Sequence, residues 1–328
     1  MKSSVISSTR AASSRFFPDS KVGWVKPAVK LGRTLCENNR YSEIISSSPP
    51  LSAHLVGRAL ASDFSLPWIA DFRDYWTAYK IERSYTDKKM HDKGNRLLKE
   101  IQTESTIATA VNDTVATYVG AGETISNGYD DDLATLWRPP PDGKEVTIGL
   151  LGHQHDPSMV RPLVELLVAL REKEPKSFAR LNVLQVGQVD HSSFLSLFAE
   201  KNLDHMVEIS GRLPRTEAFR KLSKASLFYI GVDDPAYLPG RTFDMLASGR
   251  PLLVYAEENS EYARLIANIG NGCLFDESSM ERGVLFLSEM ISAADRGEVV
   301  IKPRPDYARQ YSGRVMAERF AALLERIT

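Results

Sequence analysis

The stretch at residues 238–253, LPGRTFDMLASGRPLL, constrains the fold of this chain more than any other feature. Pro239 and Gly240 predict a tight turn, and the residues after them predict a short helix. A Gly-Arg-Pro sequence then ends the helix before an apolar strand. Arg241 and Asp244 are three positions apart, so a helix places both on one face. Backbone N–H groups, a guanidinium and a carboxylate are together the groups that bind a nucleoside diphosphate.

Short apolar segments alternate with helical periodicities along most of the chain. Strands are predicted at residues 42–47, 67–72, 105–111, 146–151, 181–186, 206–209, 225–230 and 251–255. Helices are predicted between most of these strands, and this alternation is typical of a parallel, doubly wound sheet in an α/β protein. With 328 residues the chain is long enough for two such domains. The run Pro-Pro-Pro-Asp-Gly at 139–143 predicts the linker between them.

Composition and charge exclude several classes of protein. The net charge of −1 argues against a surface built for nucleic acid. Cys36 and Cys273 lie far apart in the sequence and have no metal or redox spacing, so a reducing cytoplasm is expected. No apolar run approaches the ~20 residues of a membrane span. The basic residues at 80–99 predict a solvated helix face, with contact to anionic lipid or a polymer as the alternative.

Four segments of the chain resemble the GT-B glycosyltransferases, and glycosyltransferase family 4 in particular. The segment 238–253 is similar to the donor-site motif of that family, Pro-Gly/Ser-Lys-Leu-Phe-Glu-Tyr-Leu-Ala-x-Gly-x-Pro. The segments 47–55, 67–77 and 125–130 also match, and all four occur in the order of the family. The resemblance implies two Rossmann-like domains and a retaining transferase that moves a sugar from a nucleoside-diphosphate sugar to an acceptor hydroxyl. A degenerate nucleotide-sugar-binding module without activity and a nucleotide-sugar epimerase of the same fold are the alternatives.

The resemblance also implies three regions along the chain. Residues 1–140 correspond to an acceptor-side domain, residues 141–304 to a donor-binding domain, and residues 305–328 to a C-terminal helix that crosses back to the first domain. The first domain is expected to be incomplete, because nothing before Ser42 predicts a strand and no Gly-rich loop precedes it. About three strand–helix units are then absent, as in a fragment, in a gene that has lost its beginning, or in a domain completed by another chain.

Several candidate ligands of the donor follow from the pattern and the resemblance. Arg241 stands where the family usually has Lys and is expected to bind the diphosphate. Asp244 stands where the family has a Glu that holds the ribose, and its side chain is shorter. Gly152 and His153 follow a predicted strand and precede a capped helix, where backbone N–H groups meet phosphate. The remaining donor-side candidates are Pro239, Gly240 and Arg212, the last with a surface loop as its alternative role.

Polar residues near the ends of predicted buried strands are acceptor-side candidates. In a parallel sheet the carboxyl ends of the strands line the cleft. Asp71 and Asp74 are therefore candidate catalytic carboxylates that orient an acceptor hydroxyl, and Ser48 and Arg73 are candidate contacts to the acceptor. The structural alternative is an internal Arg–Asp pair that holds the loop. His54 is expected to pack under the loop from a helix.

No metal or other cofactor is expected. His153 and His155 lack a third ligand, and Asp130-Asp131-Asp132 predicts a solvated turn rather than a cation site. The resemblance implies that a helix dipole and basic side chains neutralise the leaving diphosphate in place of a metal. The expected partners are a nucleotide sugar and a glycan or lipid-linked acceptor, with no nucleic acid. The expected location is cytoplasmic, with peripheral contact at the inner face of a membrane left open.

Overall fold

The computed structural model describes residues 16–74, 88–138, 145–152, 157–297 and 305–327. These residues form two compact units, each with its own parallel sheet. The first unit takes in the described residues as far as Ser126 together with those from Ala317 onward, and the second unit is Asn127–Met316. The predicted α/β class with two parallel sheets is confirmed. None of the described helices is long and apolar enough to cross a membrane.

The sheet of the first unit has four parallel strands in the order of the chain. They are β1 (Ile44–Ser48), β2 (Trp68–Phe72), β3 (Ile107–Ala110) and β4 (Glu123–Thr124). The helices before and between them are α1 (Val25–Asn38), α2 (Ser52–Phe64), α3 (Lys88–Glu104) and α4 (Asp113–Val119). Every residue of β2 is buried, as is usual for a central strand of a parallel sheet.

Strand β1 forms one edge of this sheet within the described residues. Ile45 in β1 is 50% exposed, and Leu31 and Leu35 on α1 are exposed as well. Another face of α1 packs on α2, where Gly32 lies against the side chain of Leu60. An edge strand presents unpaired N–H and C=O groups that can pair with other chains. The expectation that further strand–helix units belong beside β1 stays a prediction.

His54 on α2 is fully buried and closes a hydrogen-bond network between α2 and β1. Its Nδ1 lies 2.8 Å from Ser46 Oγ, and its Nε2 lies 2.9 Å from Ser48 Oγ. The indole Nε1 of Trp68 donates to the same Ser46 hydroxyl at 2.8 Å. Burial lowers the pKa of His54 from 6.5 to about 4, so the ring is neutral at pH 7. His54 therefore packs from a helix beneath the end of a strand, as the sequence predicts.

The buried His54 makes the free energy of unfolding depend on pH. The unfolded chain binds a proton at this ring below about pH 6.5, whereas the folded chain binds it only below about pH 4. The folded state therefore loses stability as the pH falls from 6.5 towards 4. At ~1.4 kcal/mol per pH unit, we expect His54 to account for a loss of about 2–3 kcal/mol between about pH 7.5 and about pH 4.5. Urea unfolding at the two pH values measures it.

The substitution His54→Gln keeps a buried polar side chain but removes the titrating ring. In this variant the loss of unfolding free energy on acidification is expected to be smaller by the amount assigned to His54. His191 is exposed, so His191→Gln is the matched control and is expected to leave the pH dependence unchanged. If the unmutated protein and His54→Gln lost stability equally on acidification, the assignment to His54 would be contradicted.

The sheet of the second unit has six parallel strands. They are β5 (Val146–Leu151), β6 (Leu181–Val186), β7 (Val207–Ile209), β8 (Leu227–Gly231), β9 (Leu252–Tyr255) and β10 (Gly272–Phe275). Their spatial order is β10-β9-β8-β5-β6-β7, so the direction of winding reverses between β5 and β8. In doubly wound sheets, ligands bind beyond the carboxyl ends of the strands at this reversal.

Helices of the second unit cover both faces of its sheet. They are α5 (Asp131–Ala134), α6 (Arg161–Lys173), α7 (Pro175–Phe178), α8 (His191–Ala199), α9 (Arg215–Leu222), α10 (Gly240–Ala247), α11 (Glu261–Ile269), α12 (Met280–Arg296), α13 (Pro305–Arg309) and the start of α14 (Gly313–Ile327). Leu227 and Tyr229 of β8 belong to an apolar cluster with α6, α8 and α12. Phe228 and Ile230 belong to the opposite cluster, with α9, α10 and α11. Strand β10 and helix α12 are the main elements that the sequence pattern does not predict.

The single C-terminal helix expected from the sequence is interrupted in the structure. Helix α13 ends at Arg309 and α14 begins at Gly313. The amide of Tyr129 donates to the carbonyl of Tyr311 at 2.9 Å, and the amide of Gly313 donates to the carbonyl of Tyr129 at 2.8 Å. These bonds engage backbone groups that a continuous helix would use. The expectation of one unbroken helix is therefore wrong, and the turn at Tyr129 is the physical cause.

Candidate functional site

The ends of β5, β6 and β7 are each followed closely by a glycine at positive φ. These are Gly152 (φ 97°), Gly187 (φ 134°) and Gly211 (φ 65°), and we call them the glycine floor. The amide of Gly152 donates to the carbonyl of Val186 at 2.8 Å, and the amide of Gly187 donates to the carbonyl of Gly211 at 2.9 Å. A Cβ built on Gly187 would lie 2.2 Å from the carbonyl oxygen of Gly152. Backbone without side chains therefore forms this edge of the sheet.

A cavity of about 660 Å³ opens at the glycine floor. Its size is within the range of small-molecule sites. The residues that line it are Leu151, Gly152, Val186, Gly187, Arg212, Leu213, Pro214, Arg215 and Ala218. The lining is mainly apolar, and its charged residues are Arg212 and Arg215, of which Arg212 is a predicted donor ligand. An apolar wall with positive charge at its rim suits a ligand that has a flat apolar part and an anionic part.

Helix α10 begins at the predicted Pro-Gly turn. Pro239 is its N-cap residue, with φ −69° and ψ 154°, and its side chain makes no capping hydrogen bond. The guanidinium of Arg241 lies against Gly152, since a Cβ built on that glycine would be 3.0 Å from Arg241 Nη1. The structure thus brings Pro239, Gly240, Arg241 and Gly152 together at the reversal of the sheet. A helix N-terminus and a guanidinium at one point form a site for an anion.

The helix that follows Gly152 in the chain begins later than the sequence predicts. A 3₁₀ turn occupies Pro157–Met159, and α6 begins at Arg161 with a proline in its first turn. The helix whose first turn lies against Gly152 is instead α10, which follows β8. The predicted combination of Gly152 with a helix N-terminus is present, but the helix comes from a different part of the chain.

Asp244, the predicted ribose ligand, lies one turn into α10 and is 8% exposed. Nη2 of Arg215 donates to both of its carboxylate oxygens at 3.1 Å. Nη1 of Arg215 lies 3.7 Å from Asp130 Oδ2. Burial raises the pKa of Asp244, and the guanidinium of Arg215 opposes that rise. The carboxylate is therefore paired with an arginine that lines the cavity.

Two residues of this site are not predicted from the sequence. Arg215 opens α9, and its contact with Asp244 on another helix has no sequence signal beyond an arginine at a helix start. Gln185 in β6 is fully buried, and its Nε2 donates to the carbonyl of Gly152 at 2.9 Å. Its Oε1 is buried without a hydrogen-bond partner among the described residues. A glutamine beside the valine and leucine residues at the carboxyl end of β6 is the sequence signal for Gln185, because a buried amide needs hydrogen-bond partners.

Arg250, in the Gly-Arg-Pro sequence after α10, has a structural role. It is 4% exposed, and burial lowers its pKa from 12.5 to about 10, so it stays charged at pH 7. The guanidinium lies 5.2 Å from the ring of Trp137, whose Nε1 donates to the carbonyl of Asp244 at 3.2 Å. The guanidinium of Arg250 also donates, at 2.6–2.8 Å, to the backbone carbonyls of Ala225, Ser223 and Arg138. Arg250 thereby holds the chain around Trp137, and Trp137 holds α10.

The acceptor-side candidates lie in the first unit, at the carboxyl ends of β1 and β2. Asp71 is 4% exposed, and its two oxygens accept hydrogen bonds from the hydroxyls of Ser47 and Thr109, both at 2.8 Å. Nη1 of Arg73 lies 3.6 Å from Asp71 Oδ1 and donates to the carbonyl of Ile125 at 2.6 Å. The internal Arg–Asp pair that the structural alternative predicts is therefore present.

The other two acceptor-side candidates differ in exposure. Ser48 is buried, and its hydroxyl lies within hydrogen-bond distance of His54. Asp74 comes directly after Arg73 and is partly exposed. The structure brings Ser48, Asp71 and Arg73 to one end of the sheet. Catalysis by Asp71 or Asp74, and acceptor binding by Ser48 and Arg73, stay predictions.

The described side chains that were candidates for metal binding do not form a metal site. No group of three or more His, Cys, Asp or Glu side chains that could hold a metal ion occurs within the described ranges. Asp130 is the N-cap of α5, and its Oδ1 accepts from the amides of Asp132 and Leu133 at 3.0 and 3.1 Å. His153, a predicted donor ligand, and His155 lie outside the described residues.

Solved structures match nearly the whole chain. Sucrose-phosphate synthase from Thermosynechococcus elongatus is 15% identical, with a TM-score of 0.66, and the match covers 95% of this chain and 80% of that one. A glycosyltransferase from Rickettsia africae is 13% identical, with a TM-score of 0.67 and coverages of 95% and 84%. HepE from Anabaena, in complex with UDP and glucose, is 13% identical, with a TM-score of 0.67 and coverages of 94% and 83%. This chain has the GT-B fold.

The GT-B fold is the one that the sequence resemblance implies, so that prediction is confirmed. Neither a protein-family model nor a curated protein sequence matches the chain. Membership of glycosyltransferase family 4 within the GT-B fold therefore stays a prediction. The fold is shared at low identity, so the function of this GT-B chain has to be argued from its own site.

The packing of the glycine floor predicts that two glycine-to-alanine substitutions lower the free energy of unfolding by different amounts. Gly187→Ala is expected to lower the free energy of unfolding by about 2–4 kcal/mol, since the new Cβ meets the Gly152 carbonyl and φ is 134°. Gly211→Ala is the control, because a Cβ there meets nothing within 4 Å, and it is expected to cost about 1–2 kcal/mol. Urea unfolding of both variants measures the difference, and equal costs would contradict the proposed packing.

Proposed function

We propose that this chain is a glycosyltransferase that uses a nucleoside-diphosphate sugar. The observation that carries the proposal is the position of Arg241 in the first turn of α10, against Gly152 and at the reversal of the sheet. A diphosphate is an anion that a helix N-terminus and a guanidinium bind together. The GT-B neighbours support the proposal, because HepE of Anabaena is in complex with UDP and glucose.

The proposed donor site uses the second unit. The diphosphate binds at Gly152, Gly240 and Arg241, and the ribose hydroxyls bind at Asp244. The base occupies the mainly apolar cavity, with Arg212 at its wall. Binding of this kind needs little rearrangement of the protein, since the glycine floor and the start of α10 are backbone features of the fold.

In the proposed reaction an acceptor hydroxyl attacks the anomeric carbon of the sugar, the bond from that carbon to the diphosphate oxygen breaks, and the proton of the hydroxyl passes to the departing diphosphate. The charge that develops on the diphosphate is stabilised by Arg241 and by the N-terminus of α10. Asp71 and Asp74 are the proposed carboxylates that orient the acceptor hydroxyl, with Ser48 and Arg73 as acceptor contacts. Retention of the anomeric configuration is proposed from the resemblance to family 4.

The proposed acceptor is a glycan or a lipid-linked sugar. The proposal places the reaction in the cytoplasm, and a lipid-linked acceptor would bring the protein to the inner face of a membrane. Incubation with UDP-, GDP- and ADP-sugars, with release of the nucleoside diphosphate as the readout, tests the proposed activity. Binding without release would favour the nucleotide-sugar-binding module, and conversion of the sugar to its epimer would favour the epimerase.

Arg241 is expected to contribute most of the charge-dependent affinity for the diphosphate. Arg241→Ala should weaken the binding of UDP, GDP or ADP by ~1.5–3 kcal/mol, the scale of a hydrogen bond to a charged group. Isothermal titration calorimetry measures the change. Arg171 contacts the carbonyl of Lys201 near the C-terminal end of α6, so Arg171→Ala is the matched control. Unchanged affinity in Arg241→Ala would remove Arg241 from the site.

Sugar transfer is expected to need no divalent cation. Within the described residues no cluster of carboxylates or histidines is placed to hold one. Arg241 and the N-terminus of α10 supply the positive charge instead. The rate of nucleoside diphosphate release is therefore expected to be the same, within about twofold, with and without EDTA. Transfer that stops with EDTA and resumes with Mn²⁺ would overturn this expectation.

A further inference from the structure

Arg215, which lines the cavity, forms a pair with Asp244 that joins two helices. Arg215 is the first residue of α9, and Asp244 lies in α10. The two oxygens of Asp244 are each 3.1 Å from Nη2 of Arg215. The guanidinium carbon also lies 5.8 Å from the ring of Phe219, one turn along α9. Arg215 is therefore held on its own helix while it holds a carboxylate on the next.

The side chains of the pair differ in exposure. The side chain of Arg215 is 56% exposed, whereas that of Asp244 is 11% exposed. A carboxylate has about four acceptor positions; the two contacts with Arg215 use one on each oxygen, and the backbone amide of Asp130 uses another. Asp244 therefore keeps about one acceptor position for a ligand, although its side chain is short and mostly buried. Its orientation depends on the arginine that faces it.

The groups around Asp244 shift its pKa in opposite directions. Burial, the largest effect, raises the pKa of Asp244, and the carboxylate of Asp130 raises it further. The guanidinium of Arg215 and the backbone amide of Asp130 lower it. Arg215 is the only positive side chain among these groups. Without it, burial and the carboxylate of Asp130 would both raise the pKa of Asp244, and of these effects only the backbone amide of Asp130 would oppose them.

We propose that Arg215 is a positioning residue that holds Asp244 as an acceptor for the hydroxyls of a ribose and so makes the site prefer ribonucleotides over 2′-deoxyribonucleotides. The inference rests on the proposed function, in which Asp244 receives the ribose of the donor. It assigns a role to a residue with no counterpart in the motif that the sequence resembles. The shorter aspartate, in place of the usual glutamate, depends on this support to present its oxygens.

The test compares nucleoside diphosphates with and without the 2′-hydroxyl. Calorimetry with UDP, GDP and ADP identifies the base that binds, and its 2′-deoxy form is then titrated into the same variants. Arg215→Met is expected to weaken the ribonucleotide roughly tenfold and the deoxy form much less, so that the preference between them shrinks. Arg215→Lys is expected to restore part of the preference, because it returns the positive charge. Asp244→Asn is expected to lose the preference as Arg215→Met does.

The pH dependence of binding gives a second readout that a purely structural role would not change. Without Arg215, Asp244 becomes protonated at a higher pH and loses the charged form that accepts hydroxyl hydrogen bonds. The affinity of Arg215→Met for the ribonucleotide is therefore expected to fall as the pH is lowered, and to begin falling at a higher pH than that of the unmutated protein. Arg220→Met, on the exposed face of the same helix, is the control and is expected to change neither readout.

The outcomes separate this inference from the proposed function. If the unmutated protein binds no nucleoside diphosphate, the proposed function fails and the role of Arg215 fails with it. If it binds one with a preference for ribose, and Arg215→Met keeps that preference and the same pH dependence, only the role of Arg215 is overturned. Equal loss of the ribo and deoxy forms in Arg215→Met would also overturn it, since Arg215 would then bind the ligand directly.

Discussion

The contact between the backbones of Gly152 and Gly187 is the constraint on which the rest of the site depends. The Gly152 carbonyl oxygen occupies the place that a side chain at position 187 would need, so the ends of β5 and β6 approach more closely than larger residues permit. Gln185 donates to the same carbonyl from within β6 and sets the orientation of that peptide group. Space is then left at Gly152 for the guanidinium of Arg241. The proposed anion site therefore requires two glycines and a buried amide in addition to the arginine that carries the charge.

The helix that carries Arg241 is held from its buried side. The hydroxyl of Thr242, in the first turn of α10, lies 2.5 Å from the hydroxyl of the buried Tyr262 on α11. Trp137 donates to a carbonyl in the middle of α10, and Arg250 holds the chain on which Trp137 lies. These contacts fix the position of the helix N-terminus. The packing of the helix is thus supplied by residues other than those proposed to bind the diphosphate.

The sequence predicts the local parts of the site and not the pairs that join distant parts. The turn at Pro239, the short helix and the following strand each have a local signal, and all three occur at nearly the expected positions. The approach of α10 to Gly152 depends on the spatial order of the strands, which places β5 beside β8, and no local pattern indicates it. The Arg215–Asp244 pair depends on the packing of two helices in the same way. The break in the C-terminal helix has no local signal for a similar reason, since it depends on backbone hydrogen bonds to the distant Tyr129.

The strand ends of the two units differ in their polar side chains, and this difference affects where a ligand can bind. In the first unit the carboxylate of Asp71 accepts from hydroxyls on both neighbouring strands, and Ser48 is within hydrogen-bond distance of His54. A ligand that binds Asp71 has to use the acceptor positions that these hydroxyls leave, or displace a hydroxyl and lose its hydrogen bond. In the second unit glycines follow the ends of β5, β6 and β7, and the buried Oε1 of Gln185 has no partner within the described residues. The ends of these three strands in the second unit are therefore formed by backbone without side chains, whereas the polar side chains at the strand ends of the first unit hold neighbouring strands together.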